Sequence, residues 1–382
     1  MSDVQPKVTV VTPVYNGEKF LAEAIESVRR QTYPNWDYVI SDNCSTDRTR
    51  AIAERYARID PRIRVHVGDT FLPIIANWNR ALRQISPDAV YCKVLHADDM
   101  LMPDCLARMV DLMEHHPRVG IVGSYILAGN RIEGTGLPPE RSVWDGAEIC
   151  RNTLLGRYYL FGSPSSLLLR ANLVRAKPEG FYNEDNVHAD FEICYELLEH
   201  HDFGFVHEVL TYTRKHAGSM GNAFSRFYNP QLVEYLGMMR KYGPKYLDRA
   251  TFERVHGEML RSYRRVIARR IVAGRGLEYW RFHRDKLHRL GYRISGWNIA
   301  LAGLEELGRL LLHPAEAVRL ICSVLAQRRT AADDMVDRAR TLRAANYDAT
   351  AADIGSGRCP PRPTTANGDV CSGHGRRRDG RS

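Results

Sequence analysis

Nowhere in this sequence do about 18 apolar residues follow one another without interruption, so no membrane-crossing helix is expected. The opening stretch MSDVQPKVTVVTPVYN has no basic segment leading into an apolar one, and a secretory signal is not expected either. Cysteine is sparse: Cys44, Cys92, Cys105, Cys150, Cys194, Cys322, Cys359 and Cys371 are scattered and include no CxxC pair. That pattern indicates neither a zinc site nor a disulfide framework, and a reduced, cytoplasmic compartment is the simplest expectation. No GxGxxG follows the first apolar run and no GxxxxGK[ST] occurs anywhere, so neither a dinucleotide fold nor a P-loop is supported. Aromatic stacking motifs of the RNA-binding kind are also missing, and nucleic acid is not expected as a partner.

What is present divides into unlike parts. The chain of 382 residues is long enough for two to three units, and its net charge of +9 hides an asymmetry. Residues 1–220 carry 24 Lys/Arg against 29 Asp/Glu, whereas residues 221–382 carry 30 against 16. The acidic part alternates strand-like and helix-like runs; the basic part is helical almost throughout. A basic segment suits nucleic acid, an anionic membrane surface or a phosphate-bearing substrate, and charge alone does not choose among them.

In the first part, β-branched and apolar runs at residues 7–12, 38–41, 63–67 and 89–95 read as strands. Amphipathic stretches at 18–31, 49–59 and 74–85 read as the helices between them. The β-α-β-α-β-α-β order predicts an α/β fold with a mostly parallel sheet flanked by helices, continuing through a helix at 105–115 and a strand at 119–127. Residues 129–141, rich in Gly and Pro, read as a mobile loop, and residues 162–166 as a turn that lines an acceptor pocket or is an ordinary turn.

The strand at 89–95 runs into His96-Ala97-Asp98-Asp99, so two carboxylates emerge at a strand's carboxyl end, where open α/β sheets bind ligands. Paired oxygens there suit Mg²⁺ or Mn²⁺, which keep one or two protein carboxylates and take the rest of their shell from a substrate phosphate. The alternative is that Asp98 and Asp99 cap the helix that Pro103 helps to start. Asp190, in a first helical turn, is read either as a dipole partner or as a catalytic acid. His216 is read either as structural or as a metal ligand. In the basic part, Phe252, Val255, Met259, Tyr263, Val266 and Ile267 make an apolar stripe among Arg261, Arg264, Arg265, Arg269 and Arg270. It is either one face of a packed helical region or a membrane-surface attachment. A helical pair at 299–312 and 315–325 follows, and residues 351–382 read as a disordered tail.

The order of these pieces resembles the family 2 glycosyltransferases, inverting nucleotide-sugar enzymes with a GT-A fold. The resemblance lies in VTPVYNGEKFLAEAIESVRRQTYPNWDYVISDNCSTDRT, in Asn77-Trp78-Asn79-Arg80-Ala81 and in Lys93-Val94-Leu95-His96-Ala97-Asp98-Asp99, and it covers residues 7–220. It implies a GT-A-like domain over 1–220; it does not extend to the basic helical region over 221–350 or the tail over 351–382, which are read from pattern and composition. Carried over by position, Pro13 and Tyr15 flank the nucleoside and Asp42 recognises the base. His96 stands where the family's first acid contacts the ribose, and Asp98 matches the metal-binding second acid. His216 matches a late histidine that completes the metal shell, with Asp99 and Arg214 as support. Asp190 matches the catalytic base, although Ala189 replaces the Glu that usually precedes it. The implied reaction is transfer of a sugar from a nucleoside-diphosphate donor, UDP-linked for preference, to a hydroxyl of a glycan or glycolipid, with Mn²⁺ or Mg²⁺ as cofactor. Cell-surface polysaccharide or glycolipid synthesis at the inner face of the membrane is the implied setting. Two other readings remain: a metal-dependent nucleotide-sugar hydrolase, and an inactive nucleotide-sugar or nucleic-acid binding protein.

Overall fold

The structure, a computed structural model, describes residues 5–186, 188–216, 228–271, 276–293 and 295–312, with residues 315 and 318. The expected tail and the second helix of the carboxyl-terminal pair lie outside the described residues, apart from those two positions. The chain begins β1 (Val8–Val14), α1 (Leu21–Arg29), β2 (Trp36–Asp42), α2 (Thr49–Ile59), β3 (Ile63–Val67), α3 (Ile74–Leu82) and β4 (Tyr91–Val94). All four strands are parallel, in the spatial order β3-β2-β1-β4. Alternation sorts their side chains between two layers: Val8, Val10, Tyr38 and Ile40 face α1, and Val11 and Val39 face the layer that holds α3. Pro13 is tolerated inside β1 for a local reason. Val11 accepts the Leu95 amide, so Pro13, two residues on, faces the same side beyond the end of β4, where its missing N–H breaks no ladder.

After β4 the sheet becomes mixed. The chain continues with β5 (Met100–Leu101), α4 (Cys105–His115), β6 (Val119–Ala128), β7 (Arg131–Glu133), β8 (Val143–Trp144), α5 (Gly146–Leu154), a 3-10 turn (Pro164–Ser166), β9 (Leu168–Arg170), α6 (Ala171–Arg175), α7 (Ala189–Leu197) and β10 (Asp202–Thr213). β9 inserts antiparallel between β4 and β6, while β10 runs parallel to β6 and takes β5 antiparallel on its far side. Residues 95–99 therefore cross from the middle of the sheet to its edge. Residues 129–141 are not the unstructured loop their composition suggests. Gly129, at φ 63°, makes a turn that sends β7 back along β6.

Four helices follow among the described residues: α8 (Gln231–Tyr246), α9 (Arg249–Arg270), α10 (Gly276–Arg289) and α11 (Gly296–Leu312). α8 belongs to two cores at once. Its Met238, Met239 and Tyr242 join the layer that contains α7, whereas Val233 and Leu236 join a helical core with Tyr263, Ile267, Tyr279, Leu287, Ile299 and Ala302. The apolar stripe expected in residues 252–267 turns inward as a packing face, and Arg269 is bound to the buried Glu306 of α11 at 2.6 Å. Among the described residues, no helix is long and apolar enough to cross a membrane.

Packing is least forgiving where α5 starts beneath the end of α7. A Cβ added at Gly146 would strike the carbonyl oxygens of Leu198 and His201, which are backbone and cannot swing aside. Gly146→Ala is expected to lower the unfolding free energy by about 1–3 kcal/mol, read from the midpoint of a urea titration.

Candidate functional site

The carboxyl ends of β1, β2 and β4 open on one edge, and the register places Val14 beside Asp42. Asn16 and Asp47 latch the two loops there: Asn16 Oδ1 accepts the Thr46 amide at 2.8 Å and Asp47 accepts that of Glu18 at 3.1 Å. Tyr15 leaves the edge exposed, its ring 4.9 Å from that of Phe71. Asp42 is buried and accepts the Ser45 amide at 3.2 Å, and burial pushes its carboxyl above the usual range although the Ser45 side chain and amide oppose the rise.

Asp98 and Asp99 do not cap α4, whose first turn follows Asp104. The Asp99 carboxylate is buried and accepts the Arg214 amide at 3.2 Å and the Ser163 hydroxyl at 3.3 Å. Burial raises its pKa, with the His96 ring opposing. Asp98 points outward, half-buried, with Oδ2 3.0 Å from His216 Nε2 across 118 positions of chain. β10 makes this meeting possible: Tyr212 pairs with Met100, so the residues just past β10 arrive beside Asp98 and Asp99. Arg214 locks the corner, its Nε donating to the Asp98 carbonyl at 3.2 Å and its Nη2 to Glu23 at 2.7 Å, over the Phe20 ring.

Two ligands at right angles on a six-coordinate ion with bonds of about 2.1 Å lie roughly 3.0 Å apart, which is the 3.0 Å between Asp98 Oδ2 and His216 Nε2. The pair therefore fits two positions of an Mg²⁺ or Mn²⁺ shell. Among the described residues, no group of three or more His, Cys, Asp or Glu is arranged to hold a metal.

His96 takes the adjoining position. Its amide donates to Ser165 Oγ at 3.0 Å and its ring lies 4.9 Å from Trp78, while Nε2 is buried without a hydrogen-bond partner. Beyond Trp78 stands Tyr182, at 5.5 Å, and beyond Tyr182 is Asp190, whose charge helps to hold that phenol above its ordinary pKa after burial itself. Asp190 is the half-buried second residue of α7, and burial pushes its carboxyl up to about 7. The Phe191 amide and the Asp190 backbone act against that rise.

The motif Asn77-Trp78-Asn79-Arg80-Ala81 holds these parts in place, a role its residue types alone did not reveal. Asn79 clasps the Tyr182 backbone from both sides, at 2.9 and 2.8 Å. Arg80 donates to Asn43 Oδ1 at 2.6 Å and to the Thr70 carbonyl at 2.8 Å. α3 thus brackets the loop of Asp42 and the segment leading to Asp190. Ser163, Ser165, Trp78 and Tyr182 are the site neighbours that sequence reasoning left without roles; only the placing of residues 162–166 near a pocket pointed toward two of them. Lys93, quoted within the same motif as Asp98, turns away into the core and donates to Met109 Sδ at 3.5 Å.

Residues 9–162 match the model of the family described as Glycosyl transferase family 2. This domain belongs to that family. The putative glycosyltransferase EpsE of Bacillus subtilis is 33% identical over 159 residues, 40% of this chain and 56% of that protein. The putative teichuronic acid biosynthesis glycosyltransferase TuaG of the same organism is 31% identical over 159 residues, 41% of this chain and 62% of its own length. The match thus spans less than two thirds of either relative. In fold, residues 1–349 of S. aureus TarS, in a crystal structure with UDP-GlcNAc, superpose with a TM-score of 0.56 at 19% identity, over 85% of this chain and 92% of that one. The glycosyltransferase family 2 domain accordingly has a GT-A-like fold, a mixed sheet flanked by helices, with helices following it.

The raised carboxyl of Asp190 has a consequence for stability. The unfolded chain releases this proton near pH 4, whereas the folded chain keeps it to about 7. Wild-type stability therefore drains as pH rises between those values and stays lower above them. Asp190→Asn removes that loss: its melting temperature should match the wild type at pH 4 and exceed it by about 2–4 °C at pH 8, measured by calorimetry.

Proposed function

We propose that this chain is an inverting glycosyltransferase that moves a sugar from a nucleoside-diphosphate donor to a hydroxyl of a glycan or glycolipid, in the synthesis of a cell-surface polymer. The observation that carries the reading is the meeting of Asp98 and His216, 3.0 Å apart, on the sheet edge that also holds Asp42. In this reading Pro13 and Tyr15 flank the nucleoside, and the Asp42 carboxylate accepts a ring N–H of the base, which uracil offers. The unpartnered His96 Nε2 meets a ribose hydroxyl. Asp98 and His216 would hold Mg²⁺ or Mn²⁺, which would supply positive charge to neutralise the diphosphate. Asp99 and Arg214 fix the corner that presents them. Asp190 takes the proton from the acceptor hydroxyl; the oxygen bonds to the anomeric carbon as its bond to the diphosphate breaks on the opposite face. The nucleoside diphosphate departs and the configuration inverts. The name of TuaG, a relative in teichuronic acid biosynthesis, supports a cell-wall or surface polymer as the destination.

The site is tested by calorimetric titration of UDP, GDP and dTDP with Mn²⁺, with Mg²⁺ and with EDTA. UDP is expected to bind in a metal-dependent manner, and Asp98→Ala to abolish that binding. With donor and acceptor, turnover should fall as pH drops below about 7, where Asp190 becomes protonated, and Asp190→Asn should lose about 10²–10⁴-fold. Full-rate release of free sugar without an acceptor would make the protein a hydrolase instead, and absence of any nucleotide binding would remove the site.

Attachment to an anionic membrane surface at the cytoplasmic face belongs to the same reading, and its support has moved along the chain. Arg269 is occupied by Glu306, but α11 exposes Trp297, Leu301, Leu304, Leu307, Leu311 and Leu312 on the side opposite its buried Ile299, Ala302 and Glu306. The wild type is expected to sediment with phosphatidylglycerol vesicles. A variant with Leu304→Ser and Leu311→Ser should bind about tenfold or more weakly; equal binding by the two would refute the attachment.

A further inference from the structure

Asp190 is not walled by the sheet domain alone. α8, which enters from beyond residue 228, lays Tyr235 against His188 and Phe191, on either side of Asp190 in the chain. The rings of His188 and Tyr235 are parallel within 7°, with centroids 6.5 Å apart. Phe191 meets Tyr235 edge-on at 6.2 Å and Tyr159, tilted by 46°, at 5.4 Å. The four rings are not equivalent. Phe191 is buried in the core, whereas Tyr159 and Tyr235 remain 49% and 42% exposed. His188 Nε2 is buried and has no hydrogen-bond partner, an expensive condition for an imidazole nitrogen unless a ligand supplies one.

Burial raises the pKa of both tyrosines; the charge of Asp190 adds to it, second for Tyr235 and after that of Tyr235 for Tyr159, so both lie near that carboxylate. The cluster therefore combines two open aromatic rings, one unsatisfied nitrogen and one carboxylate. A purely apolar occupant would bury the carboxylate at a cost, and a purely polar one would leave the rings wet. A pyranoside satisfies all of these, because it carries a C–H face, which lies flat on aromatic rings, and a rim of hydroxyls.

We propose that Tyr159, Tyr235 and His188 form the acceptor subsite, stacking the C–H face of a pyranoside ring so that one of its hydroxyls reaches Asp190. This rests on the reading of Asp190 as the base. It also gives the carboxyl-terminal helices a part in the reaction, because Tyr235 comes from α8. That helix is fastened to α7 by Lys241 on Glu192, by Tyr246 donating to the Tyr195 carbonyl at 2.9 Å, and by the stack of Tyr195 on Tyr242 at 5.0 Å. Tyr235 and Asp190 therefore share one rigid helix pair.

The test uses the full chain and saturation-transfer NMR with a panel of methyl pyranosides (glucoside, galactoside, mannoside and N-acetylglucosaminide), beside calorimetric binding of UDP with Mn²⁺. At least one glycoside should bind the wild type. Tyr235→Ala and Tyr159→Ala should each weaken it about tenfold, Tyr235→Phe should retain it, and UDP affinity should be the same in all four proteins, which also certifies their folding. Glycoside binding unchanged in both alanine variants overturns the subsite, as does a wild type that binds UDP but no glycoside. Loss of UDP binding in the wild type, with glycoside binding present and sensitive to Tyr235→Ala, leaves the subsite standing and sinks the transferase reading.

Discussion

The buried carboxylate of Asp99 is the joint on which this site depends. It accepts from the Arg214 amide and the Ser163 hydroxyl, and so ties together the crossing segment after β4, the turn before β9 and the end of β10. A carboxylate taken out of water is stable only when donors surround it, and here the donors come from parts of the chain 64 and 115 positions away. Because Asp99 faces inward to make that joint, its neighbour Asp98 faces outward and meets His216. Adjacent carboxylates thus divide the work, one structural and one available to a ligand.

A second constraint is carried by α3. Asn79 and Arg80 are buried polar side chains whose hydrogen bonds run in opposite directions, one to the Tyr182 backbone and the other to Asn43 beside Asp42. Each such bond is worth about 1 kcal/mol net, but leaving its partner unsatisfied costs more, so the helix fixes the distance between the two ends of the site. The aromatic series His96, Trp78 and Tyr182 fills the space between them. Beyond them, desolvation raises the Asp190 carboxyl to about 7.

The order β1 to α4 could be read from periodicity because each element there buries one face and meets its sequence neighbour: α2, β3 and α4 fall on their expected residues. Past residue 128 that locality fails. The 12-residue β10 gains its regularity from pairing with β6, with register shifts that break strict alternation, and residues 129–141 hide β7 under a Gly- and Pro-rich composition. Ser163 and Ser165 look like ordinary turn residues until the turn is set against His96 and Asp99. The expectation of a mostly parallel sheet describes its first four strands; the antiparallel β5, β7, β8 and β9 that make it mixed are two or three residues long, too short to show a period.

By itself the sequence determined an α/β chain, the strand that delivers Asp98 and Asp99, and the division between an acidic part and a basic helical one, since hydrophobic period and charge are local properties. The tertiary structure decided which of two adjacent aspartates faces a ligand, that α8 shares a core with α7, and which apolar stripe of the helical region is covered. Those outcomes rest on burial and on hydrogen bonds between distant residues, and neither is written in any short stretch of chain.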